Sequence, residues 1–279
     1  MNTTHPYRVK TRFEALATQG QAALVTFITA GDPNAEATLA YLHALVRGGA
    51  DILELGVPFS DPMADGPTIQ RASERALDGG MSLRKVLALV AAFRVTDQRT
   101  PVVLMGYLNP IERMGYHTFA TAAAEAGADG VLVVDLPPEE AAEFHVEMLT
   151  AGLAQIFLLA PTSSADRFAA VCRYATGFVY YVSVKGVTGD KPVDVAEVTS
   201  RVTEIKSVTS LPVGVGFGVR TPASAAAIAQ AADAVIVGSA LVEIIEQASS
   251  ELAATAALEG FVRSLKDATI GGRSALGAS

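Results

Sequence analysis

A chain of 279 residues, half of them apolar and 18% charged, with a mean hydropathy of +0.34, has the material for a sizeable buried core and is not a largely disordered protein. Its net charge is −8 and no run of Lys or Arg forms a phosphate-tracking stripe, so nucleic acid is excluded as a partner. The single cysteine, Cys172, cannot close an intramolecular disulfide, which fits a reducing cytoplasm.

Periodicity and punctuation predict the elements in chain order. Tyr7 to Thr18 reads as an additional N-terminal helix, placed to plug the bottom of the fold. A first strand, Ala23 to Ile28, leads through Asp32-Pro33 to a helix from Ala35 to Arg47 that closes on Gly48-Gly49. The second strand is Ile52 to Leu55. The gap after it is long and holds a Pro/Gly-rich loop, a helix from Thr68 to Leu77 and an extra helix from Ser82 to Arg94. Then come strand Val102 to Met105, helix Thr118 to Ala126, strand Val131 to Val134, helix Pro138 to Thr150, strand Gln155 to Leu159 and helix Asp166 to Ala175. Strands Phe178 to Val182, Pro212 to Val215 and Ala234 to Val237 complete the set, with a helix from Pro222 to Gln230 before the last and another running from Ser239 toward Ile245 after it. The tail from about residue 271, GGRSALGAS, reads as frayed.

Eight short β-rich segments alternate with amphipathic stretches and no break in composition. Alternation of this kind implies a parallel sheet, and eight units in about 250 residues is the count at which the sheet closes. The expected architecture is α/β: one (β/α)8 TIM barrel occupying residues 1–279 as a single domain. A doubly wound open sheet is the alternative. Such sheets carry five or six strands with a phosphate motif near the chain start, whereas the glycine-rich loops here come late. No segment reaches the length of a membrane span, and the N-terminus lacks the apolar stretch of a leader. The histidines at 5, 43, 117 and 145 do not have metal-ligand spacing.

The segment ELGVPFSDPMADGPTIQ, from Glu54 to Gln70, carries the chemistry. Period-two alternation puts Ile52 and Glu54 on one face of the second strand and Leu53 and Leu55 on the other. Covering the leucines with a helix sends Glu54 into the barrel, where burial raises a carboxyl pKa and makes it a proton carrier. Asp65, beyond the loop, reads as a solvated residue that stays ionised; taken alone, its Ala-Asp-Gly-Pro context is simply good turn chemistry. Two carboxyls in unlike environments divide acid and base roles. Gly216-Phe217-Gly218 after the seventh strand and Gly238-Ser239-Ala240 after the eighth stand where barrels hold a phosphate. Gly-Val-Gly-Phe-Gly is not a dinucleotide fingerprint, because its spacing is G-x-G-x-G. Lys185 to Pro192 reads as a lid or a mobile surface loop, and Tyr180, inside the sixth strand, as a phenol facing the cavity or as packing.

With these residues in hand, the chain resembles the tryptophan synthase α subunit family. FITAGDP, ELGVPFSDPMADGPTIQ, MGYLNP, DLPPEE, GVTG, GFGVR and GSA carry the resemblance along the whole barrel. The long acidic segment is specific, whereas GFG and GSA occur in many phosphate-binding barrels. The resemblance implies retro-aldol cleavage of indole-3-glycerol phosphate to indole and glyceraldehyde 3-phosphate, with no metal or organic cofactor in this chain. It assigns Glu54 as general acid/base and Asp65 as the second catalytic carboxylate. Substrate contacts carry over to Phe27 and Tyr180 at the indole, to Gly189, Gly218, Gly238 and Ser239 at the phosphate, and to Thr188. It further implies a pyridoxal-phosphate-dependent β subunit as partner in an α2β2 complex, with the loops Pro58 to Asp65 and Gly186 to Pro192 closing when it docks. One departure is local: some members carry an arginine two residues before Gly-Val-Thr-Gly, where this chain has Val184 followed by Lys185. Two other readings remain: a different sugar-phosphate aldolase or isomerase, and a barrel kept only to bind a partner. A Schiff-base aldolase would need a lysine on a barrel strand, and intact Glu54 and Asp65 argue against lost chemistry.

Overall fold

The computed structural model describes residues 8–182, 195–216 and 218–274. Eight strands run in parallel and close on themselves: β1 (Ala23–Thr29), β2 (Ile52–Gly56), β3 (Val102–Gly106), β4 (Gly130–Val133), β5 (Ala154–Leu159), β6 (Val179–Val182), β7 (Val213–Gly216) and β8 (Ala234–Val237). Each pairs with its sequence neighbours, and β1 closes the ring on β8 with Val25 opposite Ile236. This is the (β/α)8 barrel expected from the alternation.

The helices are α1 (Arg8–Thr18), α2 (Ala35–Gly48), α3 (Pro67–Asp78), α4 (Leu83–Arg94), α5 (Leu108–Met114), α6 (Tyr116–Ala126), α7 (Ala142–Ala151), α8 (Ala165–Tyr174), α9 (Val195–Lys206), α10 (Pro222–Ala231), α11 (Ser239–Gln247) and α12 (Glu251–Ser274). Three of them, α5, α9 and α12, have no counterpart among the expected elements. The helix expected from Pro138 to Thr150 is interrupted. Pro137-Pro138 first sets a 3-10 turn, Pro138–Glu140, with the Ala141 N–H donating to the Pro138 carbonyl at 3.3 Å, and α-helical pitch begins only after it.

Period two sorts the strand side chains into two cores. Leu24, Ile28, Leu53, Leu55 and Leu104 point outward into the layer shared with the helices. Val25, Ile52, Val103, Leu132, Ile156, Phe178 and Ile236 point inward and fill the barrel. Val9, Phe13 and Leu16 of α1 belong to the inner cluster, with the Phe13 and Phe178 rings 5.7 Å apart, so α1 caps the N-terminal end of the barrel as the sequence suggests. α12 packs along α2 and α10 through Ala254, Leu258, Val262 and Leu265. Gly48 lets it approach, since a Cβ there would stand 2.8 Å from the Glu259 carbonyl and from Val262.

The bottom of the barrel repeats one device four times. A side chain one to three residues before each even-numbered strand accepts a hydrogen bond from the first or second backbone N–H of the odd strand before it. Asp51 takes that of Leu24 at 2.7 Å, Asp129 that of Val102 at 2.8 Å, Thr176 that of Gln155 at 2.9 Å and Asp233 that of Val213 at 2.9 Å. The three carboxylates are balanced by cations: Asp51 by Arg12 and Lys266, Asp129 by Arg8 and Arg94, Asp233 by Lys206. Arg8 and Arg12 both lie on α1, so the plug helix is fastened by ion pairs around its apolar stripe. Breaking a buried pair leaves an uncompensated charge. Asp129→Ala, which strands the Arg94 guanidinium and the Val102 N–H, is expected to cost about 3–5 kcal/mol in urea unfolding.

Candidate active site

The strand ends opposite α1 carry the residues singled out from sequence. Glu54 lies on the inner face of β2, paired in register with Phe27 of β1 and Val103 of β3, and is 1% exposed. Neither of its carboxyl oxygens has a hydrogen-bond partner among the described residues. A buried carboxyl without donors is held neutral: burial first, and the nearby charge of Asp65 second, push it up to about 8.

Asp65 sits at the end of the loop after β2, just before α3. The expectation of a solvated residue is not met. Asp65 is half-buried and its carboxyl is shifted upward, chiefly by loss of solvent, with a hydrogen bond from Tyr107 acting the other way. The Tyr107 hydroxyl donates to Asp65 Oδ2 at 3.0 Å and accepts from the Ala64 N–H at 3.0 Å. Gln70 of α3 adds a bond from its side-chain nitrogen to the Asp65 carbonyl at 2.9 Å. The loop is therefore anchored from β3 and from α3, and of the two acids Glu54 holds its proton longer.

Beside Asp65 lies a narrow cleft, lined among others by Phe27, Thr29, Gly56, Asp65, Met105 and Tyr107. Glu54 stands one inward step below Gly56. The Phe27 ring rests against two strand-end glycines: a Cβ at Gly56 would fall 2.6 Å from its Cζ, and one at Gly238 would touch its Cδ1 at 3.5 Å. Tyr180 points its phenol inward from β6 until the oxygen meets Gly216, where a Cβ would be 2.7 Å away. Burial and the charges of Glu54 and Asp65 raise the Tyr180 pKa, which keeps the phenol protonated beside both acids.

At the β7 and β8 ends, Gly218 adopts φ +52°, a left-handed value suited to glycine, and Gly238 caps α11 with no side-chain hydrogen bond. Ser239 opens α11, whose first N–H groups have no intrahelical acceptor and face the helix's positive end. Thr188 and Gly189, the lid from Lys185 to Pro192 and the Val184-Lys185 departure lie outside the described residues. Among the described residues no group of three or more His, Cys, Asp or Glu has the arrangement of a metal site, and no helix is long and apolar enough to cross a membrane.

Two cleft residues escape a reading of single sequence positions. Tyr107 is visible in the sequence only as part of MGYLNP, immediately beyond the third strand. Thr29 ends β1 and lines the cleft, its buried hydroxyl without a hydrogen-bond partner among the described residues.

A closed parallel barrel with a buried carboxyl and a second acid gathered at one end of its strands has the architecture of a TIM-barrel enzyme. The family model of the tryptophan synthase alpha chain matches residues 13–270. The alpha chain of Burkholderia pseudomallei is 59% identical over 264 residues, covering 95% of this chain and 97% of that relative. That of Dechloromonas aromatica is 61% identical over 246 residues, covering 88% and 92%. The crystal structure of tryptophan synthase subunit alpha from Legionella pneumophila superposes with a TM-score of 0.87 at 45% identity, covering 94% of this chain and 98% of that one. The chain belongs to the tryptophan synthase alpha chain family, the lyases that cleave indole-3-glycerol phosphate and feed the β subunit in tryptophan biosynthesis.

The shift at Glu54 has a stability consequence with a definite sign. An unfolded glutamate loses its proton near 4.5, whereas the folded one keeps it to about 8, so between these values the native state binds more protons and stability falls as pH rises. Glu54→Gln removes that fall. The variant is expected to match the parent near pH 4 and to exceed it by about 3–5 kcal/mol near pH 9, read by urea unfolding across the range.

Proposed function

We propose that Glu54 is the proton carrier of the retro-aldol cleavage and Asp65 the anion that faces the indole nitrogen. The observation that carries this reading is the dry, unpartnered Glu54 carboxyl, whose pKa of about 8 makes both protonation states accessible near neutral pH. Glu54 gives its proton to indole C3, turning the ring into an electron sink. The bond from C3 to the glycerol chain then breaks, its electron pair returns to the ring, and the adjacent hydroxyl becomes the aldehyde of glyceraldehyde 3-phosphate. Glu54, now a carboxylate, takes the hydroxyl proton and is restored. Positive charge that develops on the indole nitrogen meets Asp65, which Tyr107 orients.

Phe27 and Tyr180 wall the indole, as flat aromatic partners suit a flat ligand. Gly189, Gly218, Gly238 and Ser239 receive the phosphate, the last two through the start of α11, and Thr188 adds a substrate contact. The substrate's own ring accepts the electrons, so this chain uses neither metal nor organic cofactor. Pyridoxal phosphate belongs to the β subunit, with which the chain forms an α2β2 complex in the cytoplasm, and the loops Pro58 to Asp65 and Gly186 to Pro192 close at that interface. Residues 1–279 act as one domain; α12 continues to Ser274, past the point near residue 271 at which the sequence suggested fraying. A Schiff-base aldolase is disfavoured, because every lysine among the described residues sits on a helix.

Purified chain mixed with indole-3-glycerol phosphate is expected to release indole slowly alone and faster with a β subunit; no indole in either condition sinks the reading. Glu54→Gln is expected to keep substrate binding and lose turnover by about 10²–10⁴-fold, the range for removing a general acid. Turnover close to the parent's would place the chemistry elsewhere.

A further inference from the structure

α3 starts two residues after Asp65 and lies beside α11, whose first residue, Ser239, receives the phosphate in the proposed function. The apolar seam between the helices is small. Ile69 and Ala72 of α3 and Val242 of α11 share the Phe27 ring. Apolar burial is non-directional and sets no register along such a seam. Polar contacts do. On α3, Thr68, Arg71 and Arg75 fall at helical spacing on one face, and on α11 Glu243 and Glu246 do the same. Arg71 forks both oxygens of Glu246 at 2.7 Å each, and Arg75 adds a third bond to Glu246 at 2.8 Å. The remaining guanidinium nitrogens of Arg75 fork Asp32, just past the end of β1, at 2.8 and 2.9 Å. Glu243 accepts from Thr68 at 3.4 Å and from both terminal nitrogens of Arg220, in the loop after β7, at 2.5 and 2.7 Å.

We propose that Glu246 is a positioning residue for the lyase reaction: by holding α3 in register on α11 it fixes Asp65 relative to the bound phosphate. Three charge-assisted bonds converge on one carboxylate, and forked geometry restrains both distance and direction. Its worth in stability is small, because Arg71 is about half exposed and exposed pairs contribute little. Its worth in geometry is larger, since the helix it restrains begins beside a reacting group. The inference rests on the roles given to Asp65 and Ser239 in the proposed function.

The test uses the full chain with Glu246→Ala and Glu246→Gln, following kcat and KM for indole release, the pH profile of kcat and the melting temperature. A misplaced group costs up to about 100-fold in rate, so Glu246→Ala is expected to lower kcat by about 10- to 100-fold with KM within about threefold of the parent. Glu246→Gln, which keeps one acceptor oxygen, is expected to fall between, and the limb of the pH profile belonging to Asp65 to move. Arg47→Ala, which breaks the comparably exposed Arg47–Glu259 pair between α2 and α12, serves as the control and is expected to leave kcat unchanged. A kcat within about twofold of the parent in both Glu246 variants overturns the proposal, whatever the melting temperature does. If Glu246→Ala does not fold, Glu246→Gln decides. Asp65→Asn separates the two levels: full turnover in that variant overturns the assignment of Asp65 itself, whereas its loss alongside intact Glu246 variants overturns only the positioning role.

Discussion

Closing a parallel sheet removes its edges and leaves its inward side chains one enclosed volume to share, and that constraint orders the rest of this molecule. Eight short strands alternate their residues between a helix-facing layer and the barrel interior, so the interior has two ends and nowhere else for a polar group to go. At one end the chain seals the volume with Val9, Phe13 and Leu16 of α1 and surrounds the seal with paired charges. At the other it leaves Glu54 dry and unpaired. The same burial that would be a fault in a stability core keeps that carboxyl protonated to about 8, which is the property the proposed proton-carrier role draws on.

The two ends treat carboxylates in opposite ways. Asp129 is deeply buried, and burial pushes its pKa up, yet two guanidiniums and a backbone N–H act against that shift. Glu54 has no such donors among the described residues, and the charge that acts on it is that of another acid, Asp65. Pairing at the bottom holds carboxylates ionised, whereas burial at the top holds a carboxyl protonated. An arginine beside Glu54 would favour its charged form and take that proton away.

Much of the barrel is legible in the sequence because its signals are local. Each strand is a short apolar run, and helices end on glycines such as Gly49, which takes the left-handed turn, although α2 is capped by Asn34, whose side chain accepts from the Ala37 N–H at 2.8 Å, rather than by the Asp32-Pro33 pair that the sequence suggested. Period two alone places Glu54 inside. Asp65 is misread from sequence, because the group that orders it, Tyr107, comes from a different strand end 42 residues away. The Asp51, Asp129 and Asp233 devices are invisible there for the same reason: each partner is a backbone N–H 20 to 27 residues distant. α12 escapes because its apolar positions, Ala254, Leu258, Val262 and Leu265, gain meaning only from α2 and α10, which close the outer ring around it.

The site itself is assembled from aromatic rings that fit only where the backbone lacks side chains. Phe27 requires Gly56, and Tyr180 requires Gly216, on strands that neighbour them in the sheet. Each glycine lies at the last residue of its strand, where the inner face opens toward the cleft. A flat pocket is thus cut by pairing a large residue with no side chain at the adjoining strand end, and Phe27 then becomes the surface on which α3 and α11 meet. Through that ring the helix leading from Asp65 and the helix opening at Ser239 share one apolar support, while Glu243 and Glu246 supply the directional contacts that the ring cannot. The aromatic wall of the cleft and the placement of Asp65 are therefore not separable in this fold.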